Sequence, residues 1–85
     1  MDKNKNYYDT LDLPRFSEIK DIRKSYRRLA LIYHPDRVAA PFKKQAEEKF
    51  KEIVEAHFVL SDHRKKKVYD DYLKARVGGP EPDFT

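Results

Sequence analysis

The chain has 85 residues, 40% of them charged and 39% apolar, with no cysteine and a formal net charge of +4. That length holds one small domain burying roughly 60–65% of its unfolded surface. Missing cysteine excludes disulfides and thiolate metal sites, no run approaches the ~20 apolar residues of a membrane span, and the basic excess is milder than a dedicated nucleic-acid binder shows.

In chain order, residues 1–6 read as a polar, disordered lead with no apolar stretch behind it. No signal peptide is read there, and a cytoplasmic or nuclear compartment is the expectation. Tyr7-Tyr8-Asp9-Thr10-Leu11 is a short apolar-rich element ended by Pro14. Ser17 precedes a periodic stretch and is expected to cap it, with Glu18 and Asp21 complementing the positive helix start. Ile19, Ile22, Tyr26, Leu29, Ala30 and Tyr33 then recur on one side of a helical wheel, the pattern of a buried stripe. The helix must end near Tyr33, because Pro35 breaks it and pushes His34 out of the helical region.

Residues 34–41 carry two prolines and read as a loop. A second long helix is expected from Phe42 to Leu60, with Ala46, Phe50, Ile53, Ala56, His57 and Leu60 as its stripe. Ser61-Asp62 stops it and starts a shorter helix over residues 64–75, with Val68, Tyr69, Tyr72 and Leu73 facing inward. Residues 76–85 read as a linker or tail. The sum is an all-α domain over residues 7–75: an antiparallel helical hairpin flanked by a short N-terminal and a short C-terminal helix.

On the first long helix, Lys20, Arg23, Lys24, Arg27 and Arg28 fall on one side of the stripe. A charge run of this kind is either a solvated face or a patch that steers and orients an acidic partner. Leu31 and Ile32 point partly outward beside it. His34-Pro35-Asp36 follows at the end of that helix. Taken alone it is a helix-terminating turn whose Asp bonds local backbone, yet it also offers a carboxylate at a rigid point, suited to a bidentate arginine.

These segments together are similar to a J domain. Tyr7 through Leu11 resembles the family's opening; Ile22 through Ala30 and Tyr33-His34-Pro35-Asp36-Arg37 resemble its second helix and signature loop. Lys49 through Ile53, Glu55-Ala56, Val59 through Asp62 and Tyr69-Asp70 resemble its third and fourth helices. The resemblance spans residues 7–72 in order and spacing.

It implies a co-chaperone module that binds the ATP-bound state of a seventy-kilodalton heat-shock chaperone. Contact would involve that partner's nucleotide domain, substrate domain and interdomain linker, and would stimulate its ATPase. The module itself would not be an enzyme, would need no cofactor or metal, and is expected to be a monomer. Residue by residue, the resemblance assigns partner contact to His34, Pro35, Asp36, Arg37, Tyr26, Arg23, Arg27 and Arg28, and to Phe50, for which a plain core role stands equally open. Asp12 stands where the family has glycine, His57 where tyrosine is common, and Phe58 where a polar residue is common. Arg64-Lys65-Lys66-Lys67 is either a second docking patch or solvated charge, the latter favoured.

The alternatives are a J-like protein-interaction domain without chaperone stimulation, or a nucleic-acid-binding hairpin. Against the latter, acidic residues nearly match basic ones, and the aromatics sit on buried stripes instead of interleaving the arginines. The three histidines share no metal-ligand spacing.

Overall fold

The computed structural model describes residues 6–75, so the expectations for residues 1–5 and 76–85 lie outside the described residues. Four helices follow one another: α1 (Tyr7–Thr10), α2 (Ile19–Tyr33), α3 (Lys43–Leu60) and α4 (His63–Ala75). Two 3-10 turns, Pro35–Arg37 and Ala40–Phe42, link α2 to α3. The fold is all-α, as the periodicity predicts.

Asn6 belongs to the domain and not to the lead. Its Oδ1 accepts the Asp9 N–H at 2.9 Å while the Asp9 carboxylate accepts the Asn6 N–H at 3.3 Å. This reciprocal capping box lets a four-residue helix persist. Tyr8 and Leu11 are then fully buried.

The connection to α2 turns on two residues in the left-handed region, Asp12 (φ 62°) and Phe16 (φ 66°). Asp tolerates that region; a bulky aromatic does so only when its surroundings hold it. Phe16 is held by the Tyr8 ring, edge-on at 6.1 Å, and by the Lys74 ammonium 5.1 Å over its face. The expected Ser17 cap does not form. Ser17 Oγ donates to the Pro14 carbonyl at 2.6 Å, and Glu18 is the N-cap residue without a side-chain bond. A hydroxyl that can close its own local turn is not available to the next helix.

α2 and α3 pack as the two rods of the hairpin. Tyr26 meets His57 and His34 meets Phe50, so one rod ascends as the other descends. Between them and α1 lies the core of Tyr8, Leu11, Ile22, Leu29, Ile53, Ala56, Val59, Leu60 and Tyr69. Ile22, Ile53 and Leu60 have no exposed surface, and each contributes about 1.5–3 kcal/mol of burial.

α4 corrects one expectation. Tyr69 is buried and Tyr72 and Leu73 pack partly buried against the core as expected, but Val68 is 50% exposed and Asp70 turns inward in its place. The inward Asp70 is tolerated because its needs are met: the Tyr8 hydroxyl donates to Oδ1, and Lys66 Nζ lies 2.8 Å from Oδ2. Burial, and then the bond to Asp70, pushes the Tyr8 hydroxyl far above the ordinary tyrosine range. Beside this staple the Tyr7 N–H donates to the Tyr69 hydroxyl at 3.0 Å. Asp62 starts α4, its Oδ1 accepting the N–H groups of Arg64 and Lys65 at 2.9 and 3.0 Å. Those backbone donors, Lys65 first, hold its carboxyl below the usual range.

Candidate partner-docking site

At the end of the hairpin where α2 and α3 are joined, His34 leaves the helix with extended backbone (φ −61°, ψ 129°), as a residue before proline must. Pro35 opens the 3-10 turn, closed by the Arg37 N–H donating to the His34 carbonyl at 2.9 Å. The Asp36 N–H donates to His34 Nδ1 at 3.2 Å. That bond needs a bare Nδ1, which leaves Nε2 as the ring's N–H donor. Phe50, from α3, meets the His34 ring edge-on at 5.7 Å and 78°. The imidazole is therefore fixed at one nitrogen and against one ring.

Asp36 is the opposite of Asp70. Its side chain is 90% exposed, and the His34 ring nitrogen Nδ1 is 3.8 Å from its Oδ2, too far for a hydrogen bond. The turn holds a carboxylate in a set direction while leaving its acceptor sites to solvent. Pro35 is half-buried beneath it and Arg37 is exposed at the turn's end.

Along α2, Lys20, Arg23, Lys24, Arg27 and Arg28 are all exposed, with Leu31 among them. Little inside the chain neutralises them. Lys20 lies 3.6 Å from Glu18, Arg28 donates to Ser25 Oγ at 3.4 Å, and among the described residues Arg23 and Arg27 form no ion pair. Tyr26 is half-buried at the edge of this face, its ring stacked on His57 at 3.9 Å and 21°.

The second basic run behaves differently. Lys65 pairs with Asp62 at 3.8 Å, Lys66 with Asp70 at 2.8 Å and Lys67 with Asp71 at 3.3 Å. Lys65 also lies 4.4 Å over the ring of Phe58, an aromatic that remains 52% exposed. The charges of the run's three lysines are met within α4 and its cap. Among the described residues, no helix is long and apolar enough to cross a membrane.

The structure thus brings His34, Asp36 and Phe50 together at one corner and puts the α2 cations along the adjoining rod. What the sequence reading missed is the Tyr26–His57 stack. Its signal was available: in an antiparallel hairpin that brings residue 34 to residue 50, a position two turns earlier on α2 must meet one two turns later on α3.

The DnaJ domain family model matches residues 6–70. Over 82 residues, 89% of this chain, the sequence is 49% identical to a chaperone protein DnaJ of Polaromonas sp., covering 22% of that protein. It is 53% identical over 72 residues to the chaperone protein DnaJ of Caldicellulosiruptor bescii, covering 85% of this chain and 18% of that protein. The chain therefore spans about a fifth of the length of these relatives. Among solved structures, the J-domain of the DnaJ homolog dnj-2 precursor from C. elegans superposes with a TM-score of 0.74 at 40% identity, over 82% of this chain and 71% of that one.

Proposed function

The chain belongs to the DnaJ domain family, and from that premise we propose that it is a co-chaperone module which docks on the ATP-bound state of a seventy-kilodalton heat-shock chaperone and stimulates its ATPase. The observation that carries the reading is Asp36: a carboxylate held by a proline-locked turn, bonded to no donor among the described residues, and placed at the end of an exposed basic rod. Such a group suits a bidentate arginine on a partner, where a charge-assisted pair is strongest. The α2 cations supply the long-range attraction and orientation for an acidic partner surface.

The effect on the partner is a coupling. A ligand shifts a two-state machine only by preferring one state, so the module binds the hydrolysis-competent arrangement better than the resting one. It performs no bond chemistry itself. His34 contributes its Nε2–H as a second polar contact, and Pro35 and Phe50 hold the corner rigid. Arg37 extends the cationic row past the turn.

Single-turnover ATP hydrolysis by candidate chaperones, with and without the chain, tests this. A rate increase is expected that His34→Gln or Asp36→Asn abolishes while helix content by circular dichroism stays unchanged. Equal stimulation by the wild type and both variants refutes the mechanism.

A further inference from the structure

The Tyr26–His57 pair lies at the margin of the docking face; the resemblance gives Tyr26 a partner contact, while His57 has no role assigned. Tyr26 shares α2 with Arg23 and Arg27, one turn before it and one residue after it. Its ring lies nearly parallel on the imidazole of His57, centroids 3.9 Å apart, so the neutral ring of α3 is the floor on which the tyrosine rests. His57 and Phe50 occupy the flank of α3 that meets α2, two turns apart, and each backs one residue of the docking side. A tyrosine at position 57 would give the same support with no charge to gain near neutrality.

We propose that His57 is a positioning residue for the docking face, holding Tyr26 as a flat platform while neutral and releasing it on protonation, so that docking weakens as the medium acidifies. This rests on the function proposed above and adds a mode of regulation to it.

The charged group facing His57 from α2 is Arg23, with Tyr26 across the ring. From α1 and α4 the groups turned into the core are Tyr8, Tyr69 and Asp70. Tyr8 and Asp70 are bonded to each other, and Tyr69 holds the Tyr7 amide. A proton on His57 would gain from the tyrosine π-face. It would lose hydration in a half-buried site and lie beside a guanidinium. The balance goes against the proton: burial, and then Arg23, lowers the affinity of His57 for it. When the proton does bind, outward rotation of the imidazolium relieves both penalties, and Tyr26 loses its floor.

The test compares wild type, His57→Phe and His57→Ala for binding to a purified, ATP-loaded seventy-kilodalton chaperone at about pH 7.5 and about pH 5, the lower value set well under the ordinary histidine value because His57 takes its proton less readily. At the higher pH, wild type and His57→Phe bind alike and His57→Ala binds roughly threefold to tenfold more weakly, the scale of a lost ring pair. At the lower pH the wild type weakens by a similar factor beyond whatever His57→Phe shows, since that variant carries only the partner's own pH dependence. Equal pH slopes for wild type and His57→Phe, or undiminished binding by His57→Ala, overturn the proposal. Failure of the wild type to bind at the higher pH rejects the docking function itself, and this inference with it. A partner-free arm follows the ring resonances of Tyr26 by NMR through the titration of His57. They are expected to move in step, and Tyr26 resonances indifferent to pH contradict the role.

Discussion

Two aspartates divide this molecule. Asp70, on α4, is buried and receives the Tyr8 hydroxyl and the Lys66 ammonium. Asp36, at the far corner, is almost wholly in water and receives no hydrogen bond from a side chain among the described residues. Both sit in rigid settings and both follow from unremarkable local sequence. What separates them is whether their hydrogen-bonding capacity is met from within. A satisfied buried carboxylate holds α4 to α1; an exposed one, aimed by a proline-locked turn, is left for something else to satisfy. The two basic runs repeat the contrast: the lysines of α4 are paired along their own helix, while the arginines of α2 mostly are not.

Substitutions in the staple between α1 and α4 should damage stability and leave docking chemistry alone. Asp70→Ala strands Lys66 and the Tyr8 hydroxyl in a poorly hydrated site, and a loss of about 2–3 kcal/mol is expected, discounted because Lys66 can swing partly into solvent. Thermal denaturation should show a midpoint lower by roughly 10–20 °C. Tyr8→Phe removes one bond of that staple and should lower stability by about 1–1.5 kcal/mol in urea titrations, with an unchanged slope. Midpoints unmoved by either change would mean the staple holds nothing.

Substitutions on the open face should do the reverse. Arg27→Glu is expected to slow association with the chaperone about tenfold at low salt, the gap narrowing as salt is added, with unfolding shifted by no more than ~0.5 kcal/mol. Stopped-flow binding across ionic strengths measures this, and a gap that persists at high salt would point to a packed contact.

Asp12→Gly lies between the regions. Glycine removes the left-handed penalty at φ 62° but enlarges the freedom of the unfolded chain, so a net gain of only about 0.5 kcal/mol is expected by calorimetry. The smallest effect concerns His57. Its folded affinity for a proton is lowered, so its contribution to stability is fully present above the ordinary histidine value of about 6.5 and is lost as pH falls below it. The melting temperature of the wild type should therefore drop over that window relative to His57→Phe.

Much of this division was legible in the sequence. The end of α2 at Tyr33, the corner at His34-Pro35 and the stripe of α3 follow from proline and from three-and-four spacing, both local rules. The position of the α2 cations outside the stripe is the same rule read from the other side. Long-range polar bonds were not legible. Nothing local says that Asp70 will face Tyr8, sixty-two positions away, in place of an apolar Val68. Ser17 failed as a cap because a nearer carbonyl claimed its hydroxyl, a competition that composition cannot rank. Asn6 looked like part of a polar lead because its partner, Asp9, matters only once α1 exists. The pairing of Lys66 with Asp70 and Lys67 with Asp71 is four residues apart in each case, and weighing that spacing would have separated the α4 run from the α2 run beforehand.

The most direct measurement sets Asp36→Asn beside Asp70→Asn, with chaperone binding by calorimetry and thermal unfolding recorded on the same preparations. A crossed result is expected: Asp36→Asn melts with the wild type and loses at least roughly thirtyfold in affinity, as truncating one member of a charged pair does, while Asp70→Asn melts lower and, wherever folded, binds normally. If Asp36→Asn binds as well as the wild type, or loses its binding only by unfolding, the carboxylate at the corner is not what the partner reads.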